Sequence, residues 1–353
     1  MIFSLEALQA GAGDCLLLHY GPARAPRFLL IDGGPAGIYA GSLKPRLQSL
    51  PKRADGKPRL ELALVSHIDD DHIHGVLDLL DGLVTARQRS EPELCQIGEL
   101  WHNSFDRAGP PGPASVAQGA ALRAAATSLC IPVNAGFATG LVAAEQAAEP
   151  LDFGGLKLTV LGPWQTALDD LRRLWKKEQK TACLADFANR TAENLSSIVL
   201  LAEFQRARML LPGDCGGDLI LAALERCGRM PRGGQFAVDL MKVPHHASHH
   251  SLDQTFFERI PAEYYLISGN GKHGLPHPDA LAWLSAARAG RRYQAVLTHR
   301  TGEHHLTAHL TKFLKSEAQN QPQHCYHFRN NGDLSIRVDL LDRVRYLKSC
   351  TEV

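Results

Sequence analysis

The sequence predicts a mixed α/β protein of the α+β type, with two mixed sheets packed face to face and helices outside. Three observations carry this. Short apolar runs bounded by Gly, Pro or Asp recur along the chain, helix-like stretches lie between them, and both halves open with consecutive strands before a helix. The last of these argues against a purely alternating parallel sheet.

The strands are read from "IFSLEAL", "DCLLLHY", "RFLLIDGG", "LELALVSH", "LKLTVLGP", "SSIVLLAEF", "ARMLLPGD", "AVDLMKVPHH", "YYLISGN" and "QAVLTH". Each is a short β-branched or leucine-rich run closed by a turn residue. Apolar residues at three- and four-residue spacing predict helices near 37–49, 75–88, 114–129, 165–180, 217–228, 252–259, 277–289 and 305–317. The segment 103–150 is rich in Ala, Gly and Pro and is expected as a surface excursion between the halves.

Composition bounds the function. The 353 residues are 44% hydrophobic, ample for a packed core, and 38 Lys and Arg against 37 Asp and Glu leave a net charge of +1. Such a balance exerts no overall pull toward nucleic acid or membrane, so any basic surface is local. No uninterrupted apolar run of about 18 residues occurs and no cationic flank precedes the first apolar stretch, so a soluble, cytoplasmic protein without membrane association is expected. The eight cysteines are scattered without a CxxC pair, which fits reduced, structural thiols.

The chemistry concentrates in "LVSHIDDDHIHG" at 64–75. Three consecutive carboxylates repel one another, and a helix start has use for only one or two. Here they follow a buried strand, where α/β proteins place ligands and metals. His67, Asp69, Asp71 and His72 supply two imidazoles and two carboxylates within six residues, a dense donor set for divalent ions.

This pattern resembles the metallo-β-lactamase superfamily, whose signature is HxHxDH after a strand, and most closely its branch related to the hydrolase domain of ComEC-type competence proteins. Five segments match in order: "GAGDCLLLHYG" with "FLLIDGG", the metal motif, "ENLSSIVLLAEFQRARMLLPGD", "DLMKVPHHASHHS" and "YYLISGNGKHGLPHPDAL". The resemblance implies one four-layer αββα domain over 1–353. It makes His67, Asp71 and His72 metal ligands, with Asp69 standing where the second histidine of the signature usually stands. Asp214 would bridge two ions, and a histidine at the next strand end would complete the set, His245 first and His246 second. The family's middle histidine has no clear counterpart; Asn194, followed by Ser196 and Ser197, takes its place. A histidine that the branch often carries is Leu275 here, flanked by His273 and His277.

Two divalent ions, Zn²⁺ or Mn²⁺, are therefore expected, and half-oxygen ligation lets Mn²⁺ compete. Asp32 is placed to orient a ligand histidine through its distal nitrogen; a turn role beside Gly33 and Gly34 fits equally, and Asp14 has the same two readings. Paired ions suit hydrolysis of phosphoesters as well as acyl bonds. The branch tilts the expectation toward phosphodiesters, including nucleic acid, with Asp71 and either His273 or His277 in the catalytic set. The basic clusters at 172–180, which includes Trp175, and at 288–292 would track phosphates. The alternatives are an acyl hydrolase of lactamase or thioesterase type, or a metal-binding interaction module that has lost catalysis.

Overall fold

A computed structural model describes residues 1–104, 114–147, 149–169, 172, 194, 196–299, 308–341 and 347–350. In chain order the first half holds β1 (Ile2–Leu8), β2 (Leu16–Gly21), β3 (Arg27–Ile31), α1 (Lys44–Gln48), β4 (Arg59–Leu64), α2 (Asp70–Gln88), β5 (Gln96–Ile97), β6 (Leu100–Trp101) and α3 (Ala114–Ser128). The second half holds β7 (Leu151–Asp152), β8 (Lys157–Gly162), β9 (Val199–Phe204), β10 (Ala207–Leu211), α4 (Gly217–Arg226), β11 (Val238–Lys242), α5 (Gln254–Arg259) and β12 (Ala262–Ile267). It continues with α6 (Pro278–Ala287), β13 (Tyr293–Leu297), α7 (Ala308–Asn320), β14 (His324–Phe328), β15 (Ser335–Asp339) and β16 (Leu347–Cys350).

One sheet runs β16-β15-β1-β2-β3-β4-β5, with β6 also on β4; the other runs β14-β13-β12-β11-β10-β9-β8-β7. Both are mixed: β1 to β3 pair antiparallel while β3 and β4 are parallel, and β8 to β10 pair antiparallel while β10 to β14 are parallel. Strand periodicity sorts the side chains into cores. Leu16, Leu18, Leu29, Ile31, Leu200, Ala202, Tyr264 and Leu266 face one another between the sheets. Their neighbours Leu17, Phe28 and Leu30 pack under α2 and α3, and Leu201, Tyr265 and Ile267 pack under α4, α5 and α6. This is the four-layer αββα sandwich that the sequence predicts.

Several elements differ from expectation. The helix expected from residue 75 starts at Asp70, because the acidic triplet favours a helix N-terminus. The segment 103–150 is more than a surface excursion: Leu122 and Ala126 of α3 and Ala143 are buried with α2 and the first sheet. Beyond Asp169, the helix expected at 165–180 lies outside the described residues apart from Arg172. Strands β14 to β16 were not expected. Of these, β15 returns to the first sheet and pairs with β1, with Ser4 opposite Asp339 and Leu8 opposite Ser335.

Close backbone approach ties α2 to β3. Gly33 N donates to His72 O at 2.6 Å, and a Cβ on Gly75 would lie 2.0 Å from Gly33 O. Gly75→Ala should therefore lower the urea unfolding midpoint, although helix propensity alone would favour Ala by about 1 kcal/mol. Gly82→Ala in the same helix is the control, since its nearest neighbour is the movable Tyr39 hydroxyl at 2.9 Å, and it should be neutral or stabilising.

Candidate metal centre

All the loops that build the site leave one pole of the sandwich, at the ends of β3, β4, β10, β11 and β12. After β4 the chain turns through Ser66, His67 and Asp69 into α2. Asp69 is the N-cap residue, yet its carboxylate makes no capping hydrogen bond. Its Oδ2 lies instead 3.6 Å from His67 Nε2. On the second sheet, the turn after β11 passes through His245, His246 and Ala247, all with left-handed backbone (φ 47°, 51° and 63°). Three such residues in succession cost roughly 1–2 kcal/mol each, and strain of this kind clusters at functional sites.

Hydrogen bonds behind the histidines determine which ring nitrogen faces inward. Asp32 accepts from Ser66 N at 2.6 Å, Ser66 Oγ at 2.7 Å and His72 Nδ1 at 2.8 Å. With its one proton committed to Asp32, Ser66 Oγ must accept from His67 Nδ1 at 3.0 Å. His67 and His72 therefore both turn Nε2 toward the interior of the site. His246 Nδ1 lies 2.8 Å from Ser268 Oγ, and His245 Nδ1 lies 2.7 Å from Ser251 Oγ.

The inward atoms meet around Asp214. Its Oδ1 lies 3.4 Å from His72 Nε2, and its Oδ2 lies 3.6, 3.7 and 3.9 Å from Nε2 of His245, His246 and His67. Asp71 closes the other side, with Oδ2 3.5 Å from His246 Nε2 and Oδ1 3.9 Å from His72 Nε2. These spacings exceed hydrogen bonds. The three shortest match ligand atoms sharing an ion, since a tetrahedral shell with bonds of about 2.0–2.2 Å sets its atoms roughly 3.3–3.6 Å apart, and the others are a few tenths of an ångström longer.

Nε2 of His67, His72 and His246 and Oδ1 of Asp214 are buried without a hydrogen-bond partner. Each such atom costs about 1–3 kcal/mol if left unmet. A divalent cation would satisfy all of them together, so the residues fit one. Burial opposes charge on His72, but Asp214, Asp71 and Asp32 outweigh it and raise its pKa well above the ordinary value. Burial and His72 oppose protonation of His67, yet Asp69 and Asp214 raise its pKa. Asp214 and Asp71 are held below the carboxylate range despite burial, chiefly by His72 and His246. The site thus attracts positive charge.

Of the residues singled out in the sequence, His67, Asp69, Asp71, His72 and Asp214 come together here. Asp14, His72, Asp214 and His246 each offer an atom within 4.8 Å of the others. Asp14, however, is already taken by Lys242 Nζ at 2.8 Å and Ser268 Oγ at 2.5 Å, so it stands behind the cluster. Of the paired histidines, His246 is 2% exposed and faces both Asp71 and Asp214, while His245 is 19% exposed and faces Asp214 alone of these carboxylates. Asp32 has left-handed backbone (φ 58°) and its carboxylate holds the back of His72. Asn194 is buried and its carbonyl accepts from Ser197 N, while Ser197 Oγ accepts from Asp214 N at 3.3 Å.

His273 lines an open cavity of about 110 Å³ above Asp71, His245 and His246, with Asn270 and Lys272. His277 is engaged elsewhere: its Nδ1 accepts from Asp279 N as the N-cap of α6, and its ring stacks on His249 at 3.7 Å. The cluster at 288–292 precedes β13 and so lies at the opposite pole from the site, while 172–180 lies outside the described residues apart from Arg172. Ser66, Lys242 and Ser268 were missed in the sequence. The lysine inside the apolar strand "VDLMK" was the available signal.

Elemental analysis should find about two divalent ions per chain, and Asp214→Ala should strip both. Asp32→Asn should keep the fold but weaken ion affinity by about 10–100-fold, measured by chelator competition. Full occupancy in Asp214→Ala would refute the ligand assignment.

No known protein-family profile and no curated protein matches the chain. Among solved structures, a point mutant of the CmlA β-hydroxylase aligns with a TM-score of 0.39 at 15% identity, over 96% of this chain and 54% of that one. The diiron β-hydroxylase CmlA from Streptomyces venezuelae aligns with a TM-score of 0.40 at 12% identity, over the same shares of the two chains. The chain thus spans about half the length of these proteins.

Proposed function

We propose that the protein is a metal-dependent hydrolase acting on phosphodiester bonds. The observation that carries this is the convergence of unpartnered His67, His72, His246 and Asp214 atoms beside an open cavity. Asp214 lies within reach of four of the histidines. His67, Asp69 and His245 would hold one ion with it, and Asp71, His72 and His246 the other. His245 then makes up for the histidine absent at Asn194, because the left-handed turn lets adjacent histidines both reach Asp214 Oδ2.

Bound ions would supply Lewis-acid polarisation and water activation, which serve phosphoryl and acyl transfer alike. The chain's own groups favour the phosphoryl reading. Lys272 and Asn270 at the cavity rim offer a cation and an amide to an anionic substrate. His273 is exposed on the same rim, free to protonate a leaving oxygen. The ComEC-type resemblance points the same way. Nucleic acid as the natural substrate would depend on 172–180, because 288–292 faces away.

The test is a hydrolysis screen with Mn²⁺ and Zn²⁺ over phosphodiester, phosphomonoester, thioester and β-lactam substrates. Turnover of a chromogenic phosphodiester is expected, greater with Mn²⁺, and Asp69→His should shift the preference toward Zn²⁺. His273→Ala should lose roughly 10²–10⁴ in rate with ion content intact. His277→Ala should keep its rate and lose about 1 kcal/mol of stability as a cap. Turnover confined to thioester or β-lactam would replace this reading with an acyl hydrolase.

A further inference from the structure

We propose that Lys242 is a positioning residue for the metal centre, acting through Asp14 and Ser268 to hold His246 with its Nε2 free for a cation. The proposal rests on the reading of His246 as a ligand. Lys242 ends β11 and is only 1% exposed. Strand alternation sends Leu240 and Lys242 to the inter-sheet face while Met241 and Val243 pack beneath the helices. The lysine therefore reaches across the sandwich, and its Nζ meets Asp14 Oδ2 at 2.8 Å and donates to Val243 O at 3.0 Å.

Proton placement follows along the chain of contacts. Ser268 Oγ donates to Asp14 Oδ1 at 2.5 Å, which commits its only proton. The Ser268 oxygen can then only accept from His246, so His246 Nδ1, at 2.8 Å, carries the ring proton. Nε2 is left bare, facing Asp71 Oδ2 at 3.5 Å and Asp214 Oδ2 at 3.7 Å. The Lys242 ammonium on Oδ2 fixes the Asp14 carboxylate so that Oδ1 faces Ser268 as the acceptor. Without it, nothing holds the carboxylate in the orientation that takes the Ser268 proton.

A buried ion pair by itself gives no reason for its presence, since apolar replacements of similar volume are often neutral or stabilising. The link to His246 supplies one. It also separates this role from a structural one, which would affect stability without affecting the ions.

The experiment compares Ser268→Ala, Lys242→Met and the double variant Asp14→Asn/Lys242→Met with the full chain. Ion affinities are read by chelator competition with Mn²⁺ and Zn²⁺, and the His246 tautomer by ¹H–¹⁵N NMR of ion-free protein at alkaline pH. Ser268→Ala and Lys242→Met should each weaken one ion by about 10–100-fold, the same ion that His246→Ala abolishes, and leave the other unchanged. The Nδ1–H signature should give way to Nε2–H. Should Lys242→Met not fold, the double variant removes both buried charges, and should regain stability without regaining affinity.

Wild-type affinity for both ions in Ser268→Ala and in the double variant would overturn the proposal. If His246→Ala keeps both ions, the ligand reading fails instead. The tautomer in ion-free protein then decides the positioning chain on its own, an unchanged Nδ1–H signal in Ser268→Ala and the double variant counting against it.

Discussion

Mutual repulsion among carboxylates is the constraint around which this molecule is arranged. Asp14, Asp32, Asp69, Asp71 and Asp214 gather at one pole, three of them almost wholly buried. Five negative charges at such range are tolerable only beside matching positive charge. Lys242 is the one fixed cation among the contacts described for these groups, and two divalent ions would balance the remainder. Each part of the architecture answers to this demand. Asp32 and Asp14 hold the backs of the histidines, β3 and β4 run parallel so that their ends share a pole, and the second sheet brings Asp214 and His246 to the same place.

Much of this was legible in the sequence, for identifiable reasons. Alternating apolar strands announce two sheets because period two sorts side chains into two faces, and "HIDDDH" announces cations because its charge has no other plausible partner. The parts that were not legible depend on distance along the chain. The Ser268 contact with Asp14 joins residues 254 positions apart, and nothing local in "LISGN" or "GAGDC" declares it. The edge strand β14, "HCYHF", is only partly buried at four of its five positions, so its polarity hides its pairing. The inward placing of His246 goes with three left-handed residues, and a left-handed alanine carries no sequence mark.

That turn also explains how adjacent histidines can both address Asp214. In an extended strand neighbouring side chains point to opposite faces, and one of the two would be lost to the helix layer. Left-handed backbone at both residues swings the pair toward the same carboxylate, with ring centroids 6.3 Å apart. The hydrogen bond from His245 N to Gly213 O, at 3.2 Å, ties the turn to the loop carrying Asp214. Strain and site are thus built from the same few residues.

The position of β1 governs the order in which the chain can mature. It lies inside the first sheet between β2 and β15, and Ser335 of β15 also donates to the buried Glu6 of β1 at 2.5 Å, across 329 positions. During synthesis β1 and β2 form a local pair early, but the other edge of β1 stays open until β15 has been made. An exposed apolar edge invites pairing with a foreign strand, and closing so long a loop is slow. Nascent chains should therefore need shielding over most of their elongation. Because the β1–β2 turn carries Asp14, the metal pole acquires its final shape only near the end of folding.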